Sequence, residues 1–291
     1  MGPDRGRFEG RVGVVTGSGS GLGQAVARRF AREGGKVVVV DWVEEVANET
    51  VEMIAAEGGT ALAYVGDVSE PAVCEDMIGA AVETYGGLDF LHNNVFGVVL
   101  GRTADIKFED WKKTFAIMVD SYFLGTKYAI PRMLERGGGS IVNTSSVAGL
   151  TADPKFCAYS TCKHAIIGMT RAVSSDYARE GIRANAVCPG TMATNSFLQA
   201  FGETDEPSNT WFELATADGG PAPVPSEERM RMVREEFKKA HPVGDVADPN
   251  DVASVVLFLA SDDARNVTGQ AVVADGGMLA LSGTPDMIFS D

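Results

Sequence analysis

The chain has 291 residues, 45% of them hydrophobic, which is enough to bury a substantial core without disulfide support. Its 40 acidic and 25 basic residues leave a formal charge of −15, which disfavours nucleic acid and anionic membrane surfaces as partners, both being polyanions.

From the N-terminus, Met1 to Phe8 holds no apolar run of signal-peptide type, and Gly6 stands where a myristoylation signal wants Ser or Thr. No later run is long enough to span a bilayer, so a cytoplasmic protein is expected. Val12 to Thr16 is uncharged and rich in valine, the pattern of a buried parallel strand. It runs directly into Gly17-Ser18-Gly19-Ser20-Gly21-Leu22-Gly23, and Gln24 to Ala31 then repeats apolar residues at helical spacing. Glycines between a strand and a helix let the backbone approach a pyrophosphate, whose charge is stabilised by free N–H groups and the helix dipole. Lys36 to Val40 predicts the next strand, ending in Asp41 at about the distance where a carboxylate meets the adenosine ribose. Asp41 repels a 2′-phosphate, and neither Ser18 nor Trp42 offers a guanidinium to offset that, so NAD is expected rather than NADP. Further strands are predicted at 61–66, 88–92, 140–145, 183–188 and 271–274, with helices between them. Strands alternating with helices predict a mostly parallel sheet covered on both faces, in one domain over 1–291.

Asn143-Thr-Ser145-Ser146 and Tyr159-Ser-Thr-Cys-Lys163 bring a hydroxyl, a phenol and an ammonium into play. Tyr159 and Lys163 are one helical turn apart on the same face, so the ammonium can lie near the phenol oxygen. A free tyrosine ionises near pH 10, so a phenolate at neutral pH costs roughly 4 kcal/mol. A neighbouring ammonium and a cationic nicotinamide ring each favour the anion, and together they make Tyr159 a usable base. The Tyr-x-x-x-Lys pair alone is equally a surface helix pair; the glycine turn at the other end of the chain is the independent signal.

With both signals present, the chain resembles the short-chain dehydrogenase/reductase family over nearly its whole length. The shared motifs are the Thr16-to-Gly23 turn, Asp67-Val68, Asn93-Asn94, Ser146, Tyr159 with Lys163, and Pro189-Gly190 followed by Thr194. The resemblance implies a doubly wound Rossmann fold of seven strands and a homotetramer. It implies a cofactor site of Gly17, Ser20, Gly21, Leu22 and Asp41, with Asp67 and Val68 at the adenine and Asn94 at the adenosine. It further implies Tyr159, Lys163, Pro189, Gly190, Met192 and Thr194 toward the nicotinamide ribose and ring. The reaction it implies is hydride transfer between NAD and a secondary alcohol or ketone, with Ser146, Tyr159 and Lys163 catalytic. Two rivals are a nucleotide-binding regulatory module that lost its chemistry, and an epimerase or dehydratase that uses NAD transiently.

The chain departs from the family at two positions. Met118 stands where the family carries a helix Asn that anchors a proton-relay water, and a thioether cannot replace an amide. Ser121 and Thr114, one turn to either side, are the candidate substitutes. Phe96 stands where glycine is usual; it either fills core space or reshapes the substrate entrance.

The pattern loosens over 195–240, where turn clusters surround Phe197, Leu198, Phe201, Trp211, Phe212 and Leu214, and Ser226 to Phe237 predicts a helix. This insertion is either a lid over a bulky hydrophobic or cyclic substrate or a subdomain with its own small core. Cys74, Cys157, Cys162 and Cys188 show neither Cys-x-x-Cys nor zinc spacing, so free thiols in a reducing compartment are expected. His92, His164 and His241 have no matching ligand cluster, and no metal site is expected.

Overall fold

The computed structural model describes residues 6–97, 99–192, 194 and 226–280. Seven strands form one sheet of order β3-β2-β1-β4-β5-β6-β7, parallel at every pairing. They are β1 (Val12–Thr16), β2 (Lys36–Asp41), β3 (Thr60–Val65), β4 (Phe90–Asn93), β5 (Gly139–Thr144), β6 (Ile182–Pro189) and β7 (Ala271–Ala274). The expected strands lie within about two residues of these. The central ones are almost wholly buried, since helices cover both faces and no polar side is needed.

The helices are α1 (Gly21–Arg32), α2 (Glu44–Ala56), α3 (Pro71–Tyr85), α4 (Phe108–Phe115), α5 (Ser121–Glu135), α6 (Cys157–Tyr177), α7 (Glu227–Lys238) and α8 (Pro249–Ala260). On one face Val26 and Phe30 of α1, Ile54 of α2 and Val256 of α8 pack on Val15, Val37, Val39 and Phe90 of the sheet. On the other, Met77 of α3 and Met133 of α5 pack on Val14, Val38, Leu91 and Ile141. Each fully buried side chain of this size contributes about 1.5–3 kcal/mol of transfer free energy. Successive residues of β1 serve opposite cores, the period-two alternation of a strand.

The chain winds outward in one direction from β1 to β2 and β3, then crosses back to β4 on the other side of β1. At such a reversal the loops leaving neighbouring strands diverge and open a crevice at their carboxyl ends. Gly17 follows β1 and Asn94 follows β4, so the two sequence motifs bracket that crevice. Pro71 opens α3, and Asp248 with Asp251 forms a capping box at the start of α8, where Pro249 is the first residue.

Candidate active site

Gly17 and Gly21 have positive φ angles of 60° and 54°, a region that disfavours any side chain. A Cβ on Gly23 would run into the carbonyl of Gly17, so the first turn of α1 can sit against the loop only with glycine there. Ser20 is the N-cap of α1 but makes no side-chain cap bond, and no acidic residue lies in the first turn. The N–H groups and positive pole of α1 therefore face the crevice uncompensated, which suits a pyrophosphate. Asp41 accepts from the N–H of Gly19 at 2.9 Å and of Val43 at 3.2 Å. Burial raises its pKa, and those N–H donors oppose the rise.

Asn94 clamps the turn, its Nδ2 donating to the carbonyls of Thr16 at 3.2 Å and Gly17 at 3.3 Å. Its Oδ1 accepts from the Thr144 hydroxyl at 3.1 Å. Because that hydroxyl spends its proton on Asn94, it accepts from His92 Nε2, 2.8 Å away. His92 is fully buried, and desolvation holds its pKa down to about 3, so it is neutral. Thr144 also takes two groups at its carbonyl: Lys163 Nζ at 2.8 Å and the buried Tyr122 hydroxyl at 3.2 Å. Neither Thr144 nor Tyr122 is marked in the sequence, where one reads as the end of a strand and the other as an apolar helix position.

α6 carries Tyr159 and Lys163 one turn apart, while Ser146 caps the short turn after β5, its Oγ accepting from Ala148 N–H at 3.1 Å. Burial raises the Tyr159 pKa and outweighs the nearby Ser146 hydroxyl, which lowers it. The expected depression of the phenol drew on Lys163 and on the oxidised coenzyme together, and Lys163 does not supply it alone. That ammonium instead donates to Thr144, with Nζ 5.5 Å from the Tyr159 ring centre, and burial pulls its own pKa down to about 8. Cys162 beside it is a buried thiol pushed up to about 12 by desolvation, which makes it inert.

The crevice is a cavity of 510 Å³, and every cofactor and catalytic residue expected from the sequence lines it: Gly17, Ser20, Gly21, Leu22, Asp41, Asp67, Val68, Asn94, Ser146, Tyr159, Lys163, Pro189, Gly190, Met192 and Thr194. The Thr194 methyl would lie 3.2 Å from a Cβ on Gly21, so the turn after β6 meets the glycine turn. Phe96 lines the same cavity and is only partly buried, so its ring shapes the cleft rather than the core. Phe156 joins it and packs edge-on to Tyr159 at 5.8 Å. Lys155 just before has φ 69°, and its carbonyl accepts from Gly101 N–H at 2.8 Å, fixing that loop across the cavity mouth.

Met118 is fully buried in a π-helical turn, Ala116–Asp120, between α4 and α5. The Ser121 hydroxyl donates to the Ile117 carbonyl and that of Thr114 to the Asp110 carbonyl at 2.8 Å. Both protons are spent within their own helix, which removes the expected donor from either substitute. Asp120 is exposed. Phe197, Leu198, Phe201, Trp211, Phe212 and Leu214 lie outside the described residues. The expected helix near Ser226 is α7, and its Phe237 lines the cavity. Among the described residues no group of three or more His, Cys, Asp or Glu is placed to hold a metal, and no helix is long and apolar enough to cross a membrane.

A family model described as short chain dehydrogenase matches residues 11–204. The chain belongs to the short-chain dehydrogenase family. A second model, described as enoyl-(acyl carrier protein) reductase, matches residues 220–279. The meso-2,3-butanediol dehydrogenase of Serratia marcescens is 35% identical over 97% of this chain and 100% of its own. The cyclohexanol dehydrogenase of an Acinetobacter species is also 35% identical, over 93% of this chain and 95% of its own. A crystal structure described as a short-chain dehydrogenase/reductase from Burkholderia xenovorans superposes with a TM-score of 0.83 at 31% identity, covering 95% of this chain and 99% of that one. These matches make the protein an oxidoreductase of a family that uses a nicotinamide cofactor.

Proposed function

We propose that this short-chain dehydrogenase is NAD-dependent and interconverts a secondary alcohol and its ketone. The observation that carries this reading is that Ser146, Tyr159 and Lys163 line the same cavity as Asp41 and the uncapped start of α1. The backbone from Gly17 to Leu22 holds the pyrophosphate, and Asp41 accepts from the adenosine ribose hydroxyls. Asp67, Val68 and Asn94 line the adenosine end, and Pro189, Gly190, Met192 and Thr194 the nicotinamide end. The bound nicotinamide supplies the hydride acceptor in oxidation and the donor in reduction.

Ser146 Oγ accepts from Ala148 N–H, which leaves its hydroxyl proton available to donate to the substrate oxygen. A preorganised donor of this kind lowers the barrier by roughly 3 kcal/mol. Tyr159 exchanges the proton with that same oxygen. Its raised pKa keeps the phenol protonated at neutral pH, which suits it to give a proton to the ketone. In oxidation Tyr159 first gives up its own proton to solvent and the phenolate then takes the alcohol proton, while Lys163, still mostly protonated at pH 7, lends positive charge that favours that anion and holds the ribose.

The substrate is a fairly bulky hydrophobic or cyclic alcohol. Phe96, Leu100, Ile117, Phe156 and Phe237 give the cavity an apolar wall, and the relatives named for butanediol and cyclohexanol act on secondary alcohols. We further propose one domain over 1–291 with 195–240 as the substrate insertion, in a homotetramer whose contacts use the exposed Phe108 and Phe123. A cytoplasmic location fits the four free cysteines. The test is nucleotide absorbance with a panel of cyclic and linear secondary alcohols, with NAD and NADP side by side. Equal use of NADP overturns the cofactor choice, and no absorbance change with any alcohol or ketone overturns the reaction; light scattering gives the oligomer.

A further inference from the structure

His241 has no part in the chemistry above, yet it is 3% exposed and both ring nitrogens are engaged. Its Nδ1 lies 2.8 Å from the Phe237 carbonyl at the end of α7, and its Nε2 lies 3.2 Å from the backbone nitrogen of Thr191. These partners fix the proton: the carbonyl only accepts and the amide only donates, so Nδ1 carries the hydrogen and Nε2 is bare. Thr191 follows Pro189-Gly190 at the end of β6 and is held from the other side too, its carbonyl accepting from Ala247 N–H at 3.0 Å. The ring is tightly enclosed. A Cβ on Gly190 would lie 3.0 Å from Nε2, and one on Gly276 would lie 3.3 Å from Cδ2.

We propose that His241 is a positioning residue that, in its neutral form, ties the substrate-side helix α7 to the Thr191 turn of the cofactor cleft, and that a second ring proton releases this turn. The role rests on the reading of Pro189 to Thr194 as the nicotinamide end of the cleft. Phe237 lines the cavity and its carbonyl is one anchor, while Thr191 lines the same cavity and its amide is the other. One imidazole thus spans both halves of the site. A charged imidazolium places an N–H against the Thr191 N–H, two donors with no acceptor between them, in a space too closed for the ring to turn aside.

The charged groups on the surrounding elements include Lys238 at the end of α7 and Lys239 just after it, paired with Glu235 and Glu236, Asp245 in the following loop, Asp248 at the start of α8 and Asp275 after β7. Asp245 is paired with Arg234 at 2.8 Å, and the Asp275 oxygens accept from Gly277 and Leu279 N–H at 2.8 and 2.7 Å. Asp248 accepts from Asn250 N–H within its capping box. The lysines oppose a charged ring and the carboxylates favour it, but each named carboxylate is already engaged elsewhere.

The test is amide hydrogen exchange at Thr191 in the full chain without nucleotide, at about pH 7.5 and about pH 5.5, corrected for the intrinsic exchange rate. In the parent protein, protection of Thr191 should fall roughly tenfold at the lower pH, the equivalent of one net hydrogen bond. His241→Gln keeps an acceptor at the ε position and should keep protection at both pH values. His241→Asn keeps only the Phe237 bond and should lose protection at both. NAD dissociation constants of the same proteins should follow the same pattern, weakening several-fold wherever protection is lost. Unchanged protection in the parent at low pH, wild-type protection in the Asn variant, or the same acid loss in the Gln variant overturns the proposal. Changed protection with an unchanged NAD dissociation constant removes the positioning role. If protection follows the pattern but the parent binds no NAD, the cofactor reading fails and the His241 tie stands.

Discussion

The two walls of the cleft are built by different means. The nucleotide wall is backbone: a glycine turn, an uncapped helix end and a carboxylate at the tip of a strand, all within Thr16 to Asp41. The substrate wall is side chain and loop, drawn from Phe96, the π-helical turn near Met118, the Lys155–Phe156 bend and α7, which are far apart in the chain. A wall made of backbone tolerates almost no change at its key positions, whereas a wall made of side chains can be recut without losing the cofactor. Tyr159, Lys163 and Thr144 sit where the two meet.

The most severe break belongs at that seam. Tyr159→Phe removes the proposed proton carrier and should lower turnover by about 10³-fold or more, while calorimetry should find nucleotide affinity unchanged. Retained turnover would leave the proton with another group.

Lys163 comes next, through stability. Its folded pKa of about 8 lies below the ordinary 10.5, so between these values the unfolded chain binds more protons and stability rises with pH. Below about pH 8 the full burial penalty is present. Denaturation of the nucleotide-free protein should show a gain of at most roughly 3 kcal/mol from pH 8 to 10.5, absent in Lys163→Met. A flat profile in the parent would mean that the ammonium is not penalised by its surroundings.

On the nucleotide wall, Gly23→Ala pushes a methyl into the Gly17 carbonyl and should weaken NAD binding about 10- to 100-fold. Asp41→Ala should cost roughly tenfold in NAD affinity and bring NADP closer to parity, read from paired titrations. If NADP stays equally excluded, something other than Asp41 discriminates. The mildest effect is expected on the other wall. Phe96→Ala should leave NAD affinity alone and shift relative kcat/KM between bulky and small alcohols by several-fold in favour of the larger.

The same contrast explains what could be read from sequence. The strands β1 and β2 centre on uncharged, valine-rich runs buried on both faces, so their positions follow from composition within a few residues. The residues named for cofactor and catalysis share one cavity because each is tied to a strand end or to a single helical face, both local patterns. Non-local features stayed hidden. The Thr144 hub joins β4, β5, α5 and α6, and the His241 tie joins β6 to the chain after α7. The π-turn at Ala116–Asp120 has no composition cue, and the direction of the Tyr159 pKa depends on burial that a helical spacing cannot convey.

Lys155 is the non-glycine residue with a left-handed backbone among those described. A lysine in that conformation costs about 1 kcal/mol, a debt the Gly101 bond and the Phe156 packing must offset. Substitution at this position is therefore limited by dihedral preference rather than by charge: asparagine or glycine fits the left-handed backbone, whereas valine or isoleucine would strain it and disturb the packing of Phe156 on Tyr159.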